Sequence, residues 1–160
     1  MINIAPRVVH VPLQLRIDAL RQRLDLLKEG RLFKSYPVST SKFGLGFDVG
    51  SNKTPLGSFA VWKKIGAGAP MGMVFKSRIP TGEIASQGGG EDLILTRVLW
   101  LEGVEETNAN TKDRFIYIHG TNQEALLGTP VSHGCIRMSN ADIAECFEEI
   151  AEGTPVEIVA

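Results

Sequence analysis

Apolar and polar positions change period several times along this chain, and most of the changes predict strands. Residues 24–38, LDLLKEGRLFKSYPV, form two apolar-rich runs joined at Glu29-Gly30, a hairpin signal. The segment before them, LQLRIDALRQRL, fits two patterns. Leu13, Ile17, Leu20 and Leu24 recur at helical spacing, whereas Leu13, Leu15 and Ile17 alternate, and both readings stay open. Residues 43–58, FGLGFDVGSNKTPLGS, are dense in Gly, Ser, Asn and Pro and predict turns and loop. SFAVWKKI and MVFKSRI predict strands separated by GAGAPMG. EIASQGGGED predicts a Gly-rich loop, and LILTRVLWLEG an apolar strand. VEETNANTKD is a polar loop. RFIYIHGT predicts a strand with Phe115 and Tyr117 on one face, Ile116 and Ile118 on the other, ending at His119-Gly120.

One helix stands out near the end. Ser139 can cap it, Asp142 completes an S-x-x-D capping box, and Gly153 suits its C′ position. Ile143, Cys146, Phe147 and Ile150 fall at i, i+3, i+4 and i+7, one apolar face, so Cys146 reads as core packing. TPVEIVA closes the chain as a strand. Many short strands, Gly-rich loops and a single good helix predict a mostly-β domain spanning 1–160.

Composition narrows the function classes. At 160 residues the chain suits one domain with a real core. The net charge is −1, from 17 basic and 18 acidic residues without a basic block, which argues against nucleic acid or an anionic membrane as partner. No apolar run is long enough to span a bilayer. Arg7, His10, Gln14, Arg16 and Asp18 interrupt any secretory h-region at the amino terminus. The expectation is therefore a cytoplasmic location as the chain stands, or a periplasmic one if a leader has been trimmed.

The chemistry lies in GTPVSHGCIRMSN, residues 128–140. Of the two cysteines, Cys135 is flanked by two of the three histidines, His119 and His133. A thiol attacks a carbonyl as thiolate, so it needs a neighbouring base and N–H donors for the oxyanion. Gly134 before Cys135 lets backbone amides approach a substrate without an intervening Cβ, making the amides of Gly134 and Cys135 natural donors. The positive end of the helix capped by Ser139 is a further aid to a thiolate at Cys135. A buried structural cysteine is the plain alternative. A zinc site of His119, His133 and Cys135 lacks a fourth ligand and paired metal spacing, so no metal or cofactor is expected.

IHGT at 118–121 followed by SHGCIRMSN at 132–140 resembles the L,D-transpeptidase family, the YkuD-type catalytic domain of bacterial cell-wall enzymes. YPVST at 36–40, KTPLGSF at 53–59 and ILTRVLWLEG at 94–103 extend the resemblance, which runs from about residue 24 to the end. It implies a β-sandwich-like domain whose cysteine is acylated by peptidoglycan stem peptides, cutting between the L-centre of residue three (commonly meso-diaminopimelate) and D-alanine. By motif, Cys135 is the nucleophile and His119 its base. Gly120 orients the imidazole through its carbonyl, standing where some members carry serine, and His133, Gly134 and Cys135 frame the oxyanion hole.

Arg137, two residues past the nucleophile, is a candidate to bind a stem carboxylate bidentately, with a structural ion pair as the competing reading. Ser132, at the head of the motif, joins it as a candidate substrate contact. Arg97, inside an apolar strand, needs a partner. Trp62 and Trp100 read as core, and His10 has no companion motif. The thioester is open to water, giving a tripeptide, or to an amine, giving a 3–3 cross-link. The absence of an export signal favours water, hence an L,D-carboxypeptidase acting on soluble muropeptides, with L,D-transpeptidation as the alternative and a non-catalytic muropeptide binder as a minor one. Oligomeric state is not legible.

Overall fold

The computed structural model describes residues 12–160; His10 lies outside them. Ten strands and one helix follow in the order β1 (Leu13–Asp18), β2 (Arg23–Lys28), β3 (Arg31–Pro37), β4 (Gly57–Ile65), β5 (Met73–Lys76), β6 (Ile79–Ile84), β7 (Ile94–Gly103), β8 (Tyr117–Gly120), β9 (Ile136–Met138), α1 (Asn140–Glu149) and β10 (Pro155–Val159). The mostly-β expectation holds. In the ambiguous first segment alternation wins over helical spacing. Leu15 and Ile17 point inward, while Leu20, which the helical pattern needed inside, is 82% exposed in the following turn.

The sheet runs β3-β2-β1-β10-β4-β7-β5-β6, with β8 added on β7 and β9 on β8. The Glu29-Gly30 hairpin joins β2 to β3 as expected, both residues taking positive φ. The MVFKSRI strand is instead a hairpin. Ser77 and Arg78 both adopt left-handed backbone (φ 48° and 65°) and fold β5 back on β6. Two left-handed residues between two strands are the geometry of a primed turn. The pattern hid it because neither is the usual Asn or Gly.

Strand alternation sorts the core. Leu15 and Ile17, Leu24 and Leu26, Phe59 and Val61, Leu99 and Leu101, and Val156 and Ile158 bury every second side chain in one apolar cluster. Helix α1 closes it with Ile143, Cys146 and Phe147. Ser139 Oγ accepts the Asp142 N–H at 3.1 Å, as the capping motif predicts. The C-terminal expectation fails. Ile150 already has extended backbone (φ −112°, ψ 154°), so Gly153 lies in the turn beyond and is not the C′ residue. The β8 strand is also shorter than its pattern, because Phe115 at φ 57° breaks the run before Tyr117.

Cys146 is fully buried, and burial first, then the nearby Glu145, pushes its thiol up to about 12. Cys146→Ser leaves a hydroxyl in an apolar contact and is expected to cost about 1–3 kcal/mol, read as a lower midpoint in chemical denaturation. Turnover at Cys135 should be unchanged in the same variant.

Candidate active site

Strands β8 and β9 run parallel, with Ile118 beside Ile136, His119 beside Arg137 and Gly120 beside Met138. Ile118, Ile136 and Met138 point into the core, so alternation sends Tyr117, His119, Cys135 and Arg137 to the opposite face. The two halves of the motif, 16 residues apart in sequence, thereby meet on adjacent strands. Cys135 is half-buried just ahead of β9. Its Sγ receives the Tyr117 N–H at 3.4 Å and donates to the Phe115 carbonyl at 3.3 Å.

His119 is 2% exposed. Its Nδ1 lies 2.6 Å from the Gly120 carbonyl. A carbonyl only accepts, so Nδ1 carries the proton and Nε2 offers its lone pair to an acid. Burial, opposed by that carbonyl bond and by Asp92, lowers the imidazole pKa below its ordinary value. Burial likewise pushes the Cys135 thiol up to about 11, against the Tyr117 amide that favours the thiolate. At neutral pH both groups are uncharged, so the arrangement suits proton transfer during attack rather than a resting thiolate–imidazolium pair.

The turn before Cys135 is braced from inside. Ser132 is buried; its Oγ donates to the Cys135 carbonyl and accepts the Gly134 N–H at 3.2 Å. Thr54 Oγ1 holds the Gly134 carbonyl at 2.9 Å. Gly134 has φ +121°, a conformation that L side chains rarely adopt. Ser132 is thus a brace for the turn, and the Gly134 amide, expected as an oxyanion donor, is engaged by it. Among the described residues the His133 and Cys135 amides have no hydrogen-bond partner. The helix end does not reach the thiol: β9 intervenes, and the Asn140 N–H is taken by Glu124 at 2.8 Å.

Arg137 is 2% exposed and already paired. Its Nη2 is 2.8 Å from Asp92 Oδ2 and its Nη1 donates to Gln123 Oε1 at 2.9 Å. His133, whose side chain is half exposed, places Nδ1 3.7 Å from the same Asp92 oxygen. Asp92 comes from the Gly-rich loop, which Asn122 fastens by accepting the Leu93 N–H and donating to the Gly88 and Glu91 carbonyls. No motif pointed to Asp92. Its only signal was position, at the end of the glycine run beside the β7 pattern.

Gly120 is required by packing as well as by its carbonyl. A Cβ there would lie 2.3 Å from Asn140 Oδ1 and 2.7 Å from the Leu95 carbonyl. Asn140 fills that space, donating to the Thr121 carbonyl and accepting from Thr96 Oγ1. Thr96 lies in a β7 irregularity opposite His119 and Gly120, with φ 73°, an outlier for a β-branched residue. Arg97 beside it donates to the Thr96 and Ala69 carbonyls, so its role is structural. Trp62 and Trp100 pack edge-to-face at 4.7 Å and are half-buried at the edge of this face rather than inside the core. Among the described residues, no group of three or more His, Cys, Asp or Glu side chains could hold a metal ion.

The neutral pair has a kinetic signature. Alkylation of Cys135 by a small electrophile should rise with pH toward about 11 without a plateau below neutrality, because the reactive thiolate grows as the raised pKa is approached. The acid limb of turnover should fall below pH 6.5, since the lowered His119 pKa keeps the base neutral to lower pH. A pH series of labelling rates checks the first, and kcat/KM against pH the second.

Comparison with known proteins agrees with this geometry. The family model of the YkuD L,D-transpeptidase catalytic domain matches residues 13–158, which reaches further toward the amino terminus than the motifs did. YkuD of Bacillus subtilis (strain 168) is 26% identical over 148 residues, covering 92% of this chain and 66% of its own length. This chain thus spans just under two thirds of that relative. In structure, the L,D-transpeptidase LdtMt1 in complex with imipenem superposes with TM-score 0.59 at 22% identity, covering 93% of this chain and 59% of that one. An L,D-transpeptidase from Mycobacterium smegmatis gives TM-score 0.59 at 20% identity, with 94% and 59% coverage. The first carries this fold with a carbapenem bound, and the second carries it as well. With the match running through every element from β1 to β10, this chain belongs to the YkuD family of L,D-transpeptidase catalytic domains.

Proposed function

We propose that the chain performs cysteine acyl transfer on peptidoglycan tetrapeptide stems, with Cys135 attacking the carbonyl of the third residue and releasing D-alanine. The observation that carries this is the placement of Cys135 and His119 on one face of paired strands, with His119 Nδ1 pinned by Gly120 so that Nε2 is the accepting nitrogen. As Sγ bonds to the carbonyl carbon, the thiol proton passes to Nε2. The oxyanion that develops meets the unengaged backbone N–H groups of His133 and Cys135. Collapse of the tetrahedral adduct expels the amine of D-alanine, which takes the proton back from the imidazolium. A thioester on Cys135 results.

Two acceptors resolve it. Attack by an amine of a second stem gives a 3–3 cross-link, a transpeptidation of the kind the family is named for. Attack by water gives a tripeptide and makes the protein an L,D-carboxypeptidase, the outcome favoured by the sequence alone. Both share the acylation step, and His119 serves as base for either nucleophile.

Mass spectrometry of the protein with a soluble tetrapeptide muropeptide, with and without an amine acceptor, separates the outcomes. Tripeptide and free D-alanine in the presence of acceptor indicate hydrolysis; a 3–3 dimer or exchanged fourth residue indicates transpeptidation. Cys135→Ala should abolish both. His119→Ala is expected to slow acylation roughly 10²–10⁴-fold, the usual scale for a positioned base. An unchanged rate in that variant would contradict the assignment of the base.

A further inference from the structure

Beside Cys135 lies a cavity of about 390 Å³, walled by Phe75, Ile94, Val98, Phe115 and Tyr117 and bordered by Arg78. It adjoins the nucleophile directly, because Phe115 and Tyr117 are the residues whose backbone holds Cys135 Sγ. The walls are apolar, and one cation stands at the rim. Arg78 donates from Nη1 to the Tyr117 hydroxyl at 3.0 Å, and its guanidinium stacks 4.8 Å from the Trp100 ring and 5.0 Å from the Phe115 ring. No carboxylate pairs with it among the described residues, whereas both Nη atoms of Arg137 are taken, by Asp92 and Gln123, and only its buried Nε is left without a partner.

The backbone at Arg78 sharpens the point. It occupies the second left-handed position of the β5–β6 turn, at φ 65°, where glycine is preferred. Holding a long side chain there strains the backbone, and such strain concentrates at ligand contacts. Stacking on two rings orients the guanidinium without neutralising it, leaving its remaining N–H groups for an anion.

We propose that this cavity receives the side chain of the third stem residue and that Arg78 binds a free carboxylate at its far end. The inference rests on the stem-peptide reading above. An apolar wall that leads along Tyr117 from the nucleophile to a guanidinium matches a methylene chain whose distal carbon bears a carboxylate beside its ammonium. A lysine side chain brings its ammonium without a carboxylate and meets only like charge at Arg78, and an amidated one loses the charge-assisted bond. The site therefore selects a diamino-dicarboxylic third residue over lysine or over its own amide.

The test uses three soluble disaccharide tetrapeptides that differ only at residue three: free diaminopimelate, its amide and lysine. Binding is measured by calorimetry to Cys135→Ala protein, and D-alanine release by the protein with Cys135 intact. Free diaminopimelate should bind and react about tenfold or more better than the other two, the scale of one charge-assisted hydrogen bond. Arg78→Gly suits the left-handed backbone and should fold; it should erase the preference, weakening free diaminopimelate stems and relieving the like-charge contact that disfavours lysine stems. Arg78→Lys should keep the preference in weaker form. Equal binding of the three stems, failure to bind any of them, or a preference that survives Arg78→Gly would overturn the proposal. Selective binding without D-alanine release would leave it standing and overturn the acyl-transfer reading instead.

Discussion

The parallel pairing of β8 with β9 is the constraint on which the site depends. Parallel neighbours cannot be joined by a tight turn, so the chain must make a crossover between His119 and Cys135. That crossover supplies Asn122, which ties down the Gly-rich loop, Gln123, which holds Arg137, and Ser132, which braces the turn before the thiol. A slip of β9 by one residue against β8 would send Cys135 and Arg137 into the apolar cluster and bring Ile136 and Met138 out. Because Ile118, Ile136 and Met138 are fully buried, hydrophobic burial fixes the register, and the register fixes the chemistry.

Charge is handled by separation. Asp92 pairs with Arg137 beside His133, while the buried Arg137 Nε has no partner among the described residues. Burial then keeps the thiol and the imidazole neutral, with the Gly120 carbonyl choosing the tautomer. Asn140, wedged over Gly120 and bonded to Thr96 and the Thr121 carbonyl, holds that carbonyl in place. Arg78, which no carboxylate pairs among the described residues, donates to the hydroxyl of Tyr117, whose backbone N–H meets Cys135 Sγ.

What the sequence made legible follows period and motif. Alternation and apolar runs identified β2, β3, β4, β5, β7, β8 and β10 but left β1 ambiguous and missed β6 and β9, while the S-x-x-D cap located the start of α1 and Ile143, Cys146 and Phe147 fell on its buried face. The His…SHGC pair marked the residues that the parallel register brings together. What it concealed depends on contacts between distant segments. Asp92 carries no local signal, since its importance comes from Arg137, 45 residues later in sequence. Arg137 was legible as a cation near the nucleophile but not as one already paired. The Ser77-Arg78 turn was invisible because its residues are poor turn formers held there by the fold. Gly153 failed as a helix stop because Ile150 leaves the helix in extended backbone three residues earlier.

The central claim is that the resting site is neutral, with one defined imidazole tautomer awaiting the thiol proton. Nitrogen-15 NMR of the His119 ring at pH 7 tests it most directly. The account predicts a single uncharged imidazole protonated at Nδ1, where the Gly120 carbonyl accepts, and the same signal in Cys135→Ala. A doubly protonated ring at that pH, lost when Cys135 is removed, would show a preformed thiolate–imidazolium pair and contradict it.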